Sequence, residues 1–227
     1  MLAFDHLVIA SKQPKQDQEE FTSTHGLKGV PGGHHKIWGT FNELCYFTND
    51  NYIEWLGLSD HETASNSDNP LIQQFKQTFD QGEFGPFQFA LRTTSMDEYI
   101  TYYEEKGISY HGPFPGERRR PDGSLLKWRM LFPEALDHVK APLPFLIEWT
   151  GKNEPSSKAD INSSRFLHLS LGISDFEATK RLFETIYRLP KTTTEATTAS
   201  YPLENGQLIL ENGDHLLTQF DHFSITK

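Results

Sequence analysis

Ile53-Glu54-Trp55-Leu56-Gly57 and Ile147-Glu148-Trp149-Thr150-Gly151 agree at four positions of five. Each closes a stretch that opens with a strand running straight into a polar helix start. The first opening is His6-Leu7-Val8-Ile9-Ala10-Ser11, and the second is Gln88-Phe89-Ala90-Leu91-Arg92-Thr93-Thr94-Ser95, with Gln where the first has His. The opening recurs once more as His168-Leu169-Ser170-Leu171-Gly172-Ile173-Ser174. Self-similarity of this kind marks a repeated supersecondary unit.

Reading outward from these marks, the unit is βαβββ. Residues 2–10 are a Leu/Val/Ile-rich strand, and a polar stretch of weak helical character follows to about His25. Two or three strands run from His35 to Leu58, turning at Thr48-Asn49-Asp50-Asn51. In the second unit, Ser95-Met96-Asp97-Glu98 reads as a capping box, and Tyr110 to Pro133 as a hairpin turning at Pro121-Asp122-Gly123. Between the units Pro70 opens a helix carrying Leu71, Phe75 and Phe79. The organisation expected is a first module over 1–58, a linker with a helix over 59–83, a second module over 84–151, a linker over 152–164 and a third, reduced module over 165–227. The fold class is α+β, with paired βαβββ modules forming a cupped sheet. The third module either lengthens that sheet or serves a homodimer interface.

The bulk properties fit a small-molecule protein better than a nucleic-acid binder. The chain has 227 residues and a formal net charge of −10, without the basic footprint of a polyanion binder. No apolar run is long enough for a membrane helix, and Met1-Leu2-Ala3-Phe4-Asp5-His6 does not read as a signal peptide. The one cysteine, Cys45, allows no internal disulfide and fits a reducing, cytoplasmic setting.

Alternation along a strand puts Glu54 with Tyr52 and Leu56, and Glu148 with Leu146 and Thr150. Both carboxylates are expected on a semi-apolar concave face, where each needs a donor, a cation or a metal. With His6 and Gln88 on the first strands, they would converge on one divalent ion. The plainer alternative is a pair of half-exposed carboxylates, each matched by Arg or Lys. Of the adjacent His34 and His35 only one faces the cup, and Thr40 and Asn42 share a face of the next strand. Arg118-Arg119-Arg120, Lys127 and Arg129 concentrate positive charge in an acidic chain, either as a solvated hairpin or as an arm that forks a substrate carboxylate or phosphate.

Through FDHLVIA, GGHHKIWGTFNEL, YIEWLG, FALRT, the RRRPDGSLLKWR hairpin and PFLIEW, the chain resembles the vicinal oxygen chelate superfamily, and within it the glyoxalase-like domain proteins. The resemblance implies a metal held by a first-strand residue and a last-strand Glu of each module. Carried onto this chain, those residues are His6, Glu54, Gln88 and Glu148. It implies one divalent ion (Ni, Co, Zn, Mn, Fe or Mg) acting as a Lewis acid on two adjacent substrate oxygens, with Glu148 or Glu54 as general base. His34, His35, Asn42, Arg118, Arg120 and Arg129 would contact the substrate. The activity implied is that of a lyase or isomerase on a small oxygenated molecule. The alternative within the same fold is metal-free binding or drug sequestration, resting on Trp38, Trp55, Tyr52 and the arginine arm.

Overall fold

Leu7 and Ile9 alternate with His6, Val8 and Ala10, and this sequence forms β1 (Ala3–Ala10), buried on both faces at the centre of the main sheet. The computed structural model describes residues 1–119, 123–134, 143–151, 153–190 and 197–227. After β1 come α1 (Pro14–His25), β2 (Val30–His35), β3 (Thr40–Phe47) and β4 (Asn51–Leu58). Two helices, α2 (His61–Ser65) and α3 (Pro70–Gln81), lead to β5 (Gly85–Arg92), α4 (Met96–Lys106), β6 (Tyr110–Arg119), β7 (Leu125–Pro133) and β8 (Phe145–Thr150). The remainder comprises β9 (Ile161–Asn162), β10 (Phe166–Ile173), α5 (Phe176–Ile186), β11 (Thr198–Leu203), β12 (Gly206–Asn212), β13 (Leu216–Phe220) and β14 (Ser224–Thr226). Among the described residues no helix is long and apolar enough to cross a membrane.

The two βαβββ modules form one sheet in the order β2-β3-β4-β1-β5-β8-β7-β6, with β9 added beside β3. In each module the last strand lies parallel to the first, β4 on β1 and β8 on β5. The modules meet where β1 and β5 pair antiparallel, with His6 opposite Ala90 and Val8 opposite Gln88. Of the turn expected at Pro121-Asp122-Gly123, only Gly123 lies within the described residues.

The linker helix α3 covers part of the concave face. Asn69 caps it by accepting from Leu71 N at 3.0 Å, Pro70 occupies the first turn, and Gly82 ends it in the left-handed region. Its buried face (Leu71, Ile72, Phe75) packs into one cluster with Val8, Leu56, Ala90, Phe87 and Ile147. The short helix α2, in a stretch without apolar periodicity, is capped by Asp60 accepting from Thr63 N.

The third module does not lengthen the sheet. It builds its own, in the order β11-β12-β10-β13-β14. There β12 runs parallel to β10 as β4 does to β1, and β13 takes the antiparallel place beside β10 that β5 takes beside β1. This sheet and α5 share one apolar core with the convex side of the main sheet. Phe166 stacks on Phe4 at 4.2 Å, and Phe220 lies 4.5 Å from Phe47. Asn205 brackets β1 by accepting from Phe4 N at 2.9 Å and donating to Phe4 O at 2.8 Å, while Asn49 donates to Phe166 O at 2.9 Å. Since Phe166 packs directly on β1, Phe166→Ala should lower the unfolding free energy by about 3–5 kcal/mol. Urea denaturation reads this directly, and a loss below about 1 kcal/mol would mean that the third module is not coupled to the main sheet.

Candidate functional site

On the concave side of the seam, β1 presents His6 and β4 presents Tyr52, Glu54 and Leu56. Around them β2 and β3 contribute His35, Asn42 and Leu44, and the β6–β7 hairpin contributes Arg118, Trp128 and Met130. The wall is completed by Phe145, Ile147 and Trp149 of β8, by Leu71 and Ile72 of α3, and by Trp38. The cavity is small, about 40 Å³.

His6 is the most constrained polar group in it. Its ring stacks on Tyr52 (4.4 Å, 17°) and meets the edge of Phe145 at 5.6 Å. Its Nδ1 lies 2.7 Å from the fully buried Asp5 Oδ1. An ionised carboxylate only accepts, so Nδ1 carries the proton of that bond and Nε2 keeps its lone pair in the neutral ring. Nε2 lies 3.5 Å from Glu54 Oε2. Asp5 in turn accepts from Arg92 Nη1 at 3.2 Å and from the Trp149 indole at 2.9 Å. Glu54 is buried, and its Oε1 accepts from Asn42 Nδ2.

His35, not His34, faces inward. His34 is exposed and stacks on Phe41, whereas His35 is buried with Nδ1 3.1 Å from Thr40 Oγ1. Burial, reinforced by the charge of Arg118 and by His34, lowers its pKa to about 3, so it stays neutral in the folded protein. Burial, with the charges of Asp5 and Glu54, pushes the Tyr52 phenol well above its ordinary range.

Arg118 is 8% exposed, and its Nε has no hydrogen-bond partner. Its Nη2 makes one long contact, 3.4 Å to Tyr46 Oη. Two glycines make its placement possible. A Cβ on Gly33, at φ +152°, would come within 2.8 Å of the Arg118 side chain, and one on Gly116 would enter the Trp128 ring at 2.3 Å.

The remaining expected site residues lie elsewhere. Glu148 faces away from the cup: its Oε1 accepts from Met96 N at 3.0 Å at the start of α4, and its Oε2 accepts from Arg129 Nε at 3.1 Å. Arg129 also reaches Asp97 at 2.7 Å, so it is an ion-pair partner on the convex side and does not line the cavity. Glu148 therefore does the capping expected of Ser95, whose side chain makes no cap bond. The cause is register. In β8 the odd residues Phe145, Ile147 and Trp149 line the cup, whereas in β4 the even ones do. The Ile-Glu-Trp motif thus enters the second module displaced by an odd number of residues against the first strand, which exchanges its faces. Its Trp reaches the site and its Glu does not. Gln88 is buried, but its amide donates to Gln74 Oε1 on α3 (3.2 Å) and Leu143 O (3.1 Å) and is absent from the cavity wall. Arg120 lies outside the described residues.

The four-residue metal set is therefore not assembled. Only His6 and Glu54 share the cavity, the second module supplies apolar side chains opposite them, and no group of three or more His, Cys, Asp or Glu among the described residues is placed to hold an ion. Sequence reasoning overlooked Asp5 as the partner of His6. A charged residue inside an otherwise apolar strand, next to a candidate histidine, was the signal for it.

Two paired modules curled about an antiparallel first-strand seam, with a polar cluster in the cup, define a protein of the vicinal oxygen chelate fold. A family model described as "Glyoxalase-like domain" matches residues 4–187, from β1 through α5, and the chain belongs to that family. No curated protein matches it. Among solved structures, a hypothetical protein from Staphylococcus aureus superposes with a TM-score of 0.79 at 20% identity, covering 94% of this chain and 87% of that one. A methylmalonyl-CoA epimerase of Streptomyces coelicolor, solved with 2-nitronate-propionyl-CoA, superposes with a TM-score of 0.50 at 19% identity over 68% of this chain and all of its own. At these identities the likeness is one of fold.

Two measurements check this geometry. Glu148→Gln should cost about 1–2 kcal/mol of stability, through the α4 cap and a partly exposed ion pair, and leave ligand binding in the cup unchanged. Loss of binding in a folded Glu148→Gln protein would contradict the assignment. For His35 the folded pKa lies below the unfolded value of 6.5. Below about pH 6.5 the unfolded chain therefore takes up a proton that the folded chain refuses, and stability falls with falling pH by up to about 1.4 kcal/mol per unit. Urea unfolding at several pH values between about 7 and 5 should show a shallower dependence in His35→Gln than in the wild type.

Proposed function

We propose that the cup is a metal-independent acid–base site, in which His6 and Glu54 move a proton on a small oxygenated substrate in an isomerase- or lyase-type reaction. One observation carries this reading: Asp5 holds His6 by Nδ1, which leaves Nε2 directed into an apolar cavity beside Glu54. An imidazole oriented this way is a general base whose tautomer is set before the substrate arrives. In the step envisaged, Nε2 takes a proton from a carbon next to a carbonyl, and the C–H electron pair moves into the carbonyl to give an enolate. Return of that proton from His6 Nε2 to another position of the enolate completes an isomerisation. Glu54 balances the imidazolium formed in between, as Asp5 does from the other side. The metal-dependent reading loses support because Gln88 is engaged by α3 and Glu148 by Arg129.

The second reading, capture of a ligand without chemistry, draws on the aromatic wall. Trp128 lies 6.1 Å from Trp38 and 5.2 Å from Trp149, a surface suited to a flat apolar ligand. On either reading the partner is a small molecule. The cytoplasm is the setting proposed, where the buried Cys45, its pKa pushed up to about 12, stays an inert thiol.

Deuterium uptake from D2O into a panel of small carbonyl compounds, followed by NMR, tests the proposal. The wild type should catalyse exchange in the presence of a chelator. His6→Asn and Glu54→Gln should each reduce it by about 100-fold or more, while Glu148→Gln retains it. Exchange that appears only on adding Mn, Co, Ni or Zn and vanishes in Glu148→Gln would return the four-ligand metal site. Saturable binding with no exchange would favour capture.

A further inference from the structure

Among the described residues of the cavity wall, Arg118 is the charged group with a buried donor left unpartnered. It is more than nine-tenths buried, its Nε has no acceptor, and among the described residues it forms no ion pair. Glu54 lines the same cavity, but its near neighbours are His6 and Asn42. A buried guanidinium left this way is costly unless an anion completes it. Its position is also built, since Gly33 leaves the side chain its path and Gly116 lets Trp128 pack in the same wall.

We infer that Arg118 is the specificity-determining residue of the cup and that the substrate is a compact monocarboxylate, held by its carboxylate at the guanidinium Nε. The inference rests on the acid–base reading above for what happens next and adds which molecules qualify. Three observations select this ligand class. First, the cavity holds a ligand of only a few heavy atoms. Second, a guanidinium edge with a free Nε–H matches the planar fork of a carboxylate. Third, the surroundings reject multiple negative charge. Glu54 stands inside, and Glu154 and Asp160 line an outer recess of about 230 Å³ that Arg118 also borders. Among the described residues that line the two spaces, Arg118 stands against these carboxylates, which suits a monoanion and disfavours a phosphate dianion. Arg118 borders both spaces, and the carboxylate is the end of the ligand that it would hold. Its other end is then left among His6, Glu54 and the indoles.

The test uses pyruvate, its uncharged methyl ester and inorganic phosphate on the full chain, read by quenching of the indole fluorescence that Trp38, Trp128 and Trp149 place around the cavity. Pyruvate should bind saturably and methyl pyruvate at least ~10-fold more weakly, with no saturable effect of phosphate at the same concentrations. In Arg118→Met, checked for an unchanged far-UV spectrum, the preference for the acid over the ester should disappear, and Arg118→Lys should restore part of it. The acid-to-ester comparison on the wild type needs no variant. Equal binding of acid and ester, tighter binding of phosphate, or an undiminished acid preference in Arg118→Met would overturn the inference. Deuterium uptake at the pyruvate methyl group separates this result from the preceding one. Arg118-dependent binding without His6-dependent uptake would sink the acid–base reading and leave the carboxylate assignment standing. The converse would sink the assignment alone.

Discussion

The antiparallel pairing of β1 with β5 is the contact on which the cup depends. It places His6 opposite Ala90, joins two modules into one curled sheet, and decides which side chains of β4 and β8 meet above it. Side chains alternate across a regular strand, so the register of each last strand against its first strand acts as a switch. In the first module it turns Tyr52, Glu54 and Leu56 inward, and in the second Phe145, Ile147 and Trp149. The result is an asymmetric cup. One half carries His6 and Glu54, and the other carries apolar wall together with the indole that donates to Asp5.

That asymmetry explains how polar groups persist in an apolar cavity. Asp5 has no solvent exposure, yet it accepts from a histidine, an arginine and a tryptophan that come from three separate stretches of the chain. A buried carboxylate so fully bonded has its hydrogen-bonding capacity satisfied, and its contact with Nδ1 holds the ring of His6 in place. Arg118 is the counterexample within the same wall, buried but incompletely bonded. Buried polar groups in folded proteins are normally satisfied, and its unpartnered Nε is the exception that the inferred carboxylate would complete.

The third module shows how a repeat is reused with a different end. Its first and last strands keep the parallel pairing of the other two, but β13 fills the position where a further module's first strand would lie. With the seam occupied from within the chain, no second cup forms around Glu211, whose carboxylate bonds to His215 and Ser170. The module instead spends its apolar face on the convex side of the main sheet through Phe166, Phe220 and Phe223.

The repeat, the α+β class, the helix opened by Pro70 and the inward turn of one histidine from the His34-His35 pair were legible in the sequence, because they depend on local pattern: strand alternation, capping residues and a recurring motif. The same patterns pointed to Glu54 and His6 but misplaced Glu148 and Gln88. A motif records which residues recur, while the face each one takes depends on pairing with a strand some 60 positions away. Neither the cover that α3 lays over Gln88, nor the Asp5–His6 bond as one part of a three-way network, nor the unpartnered Nε of Arg118 is encoded in any short window. Each arises from long-range contacts, and these exist only once the chain has closed.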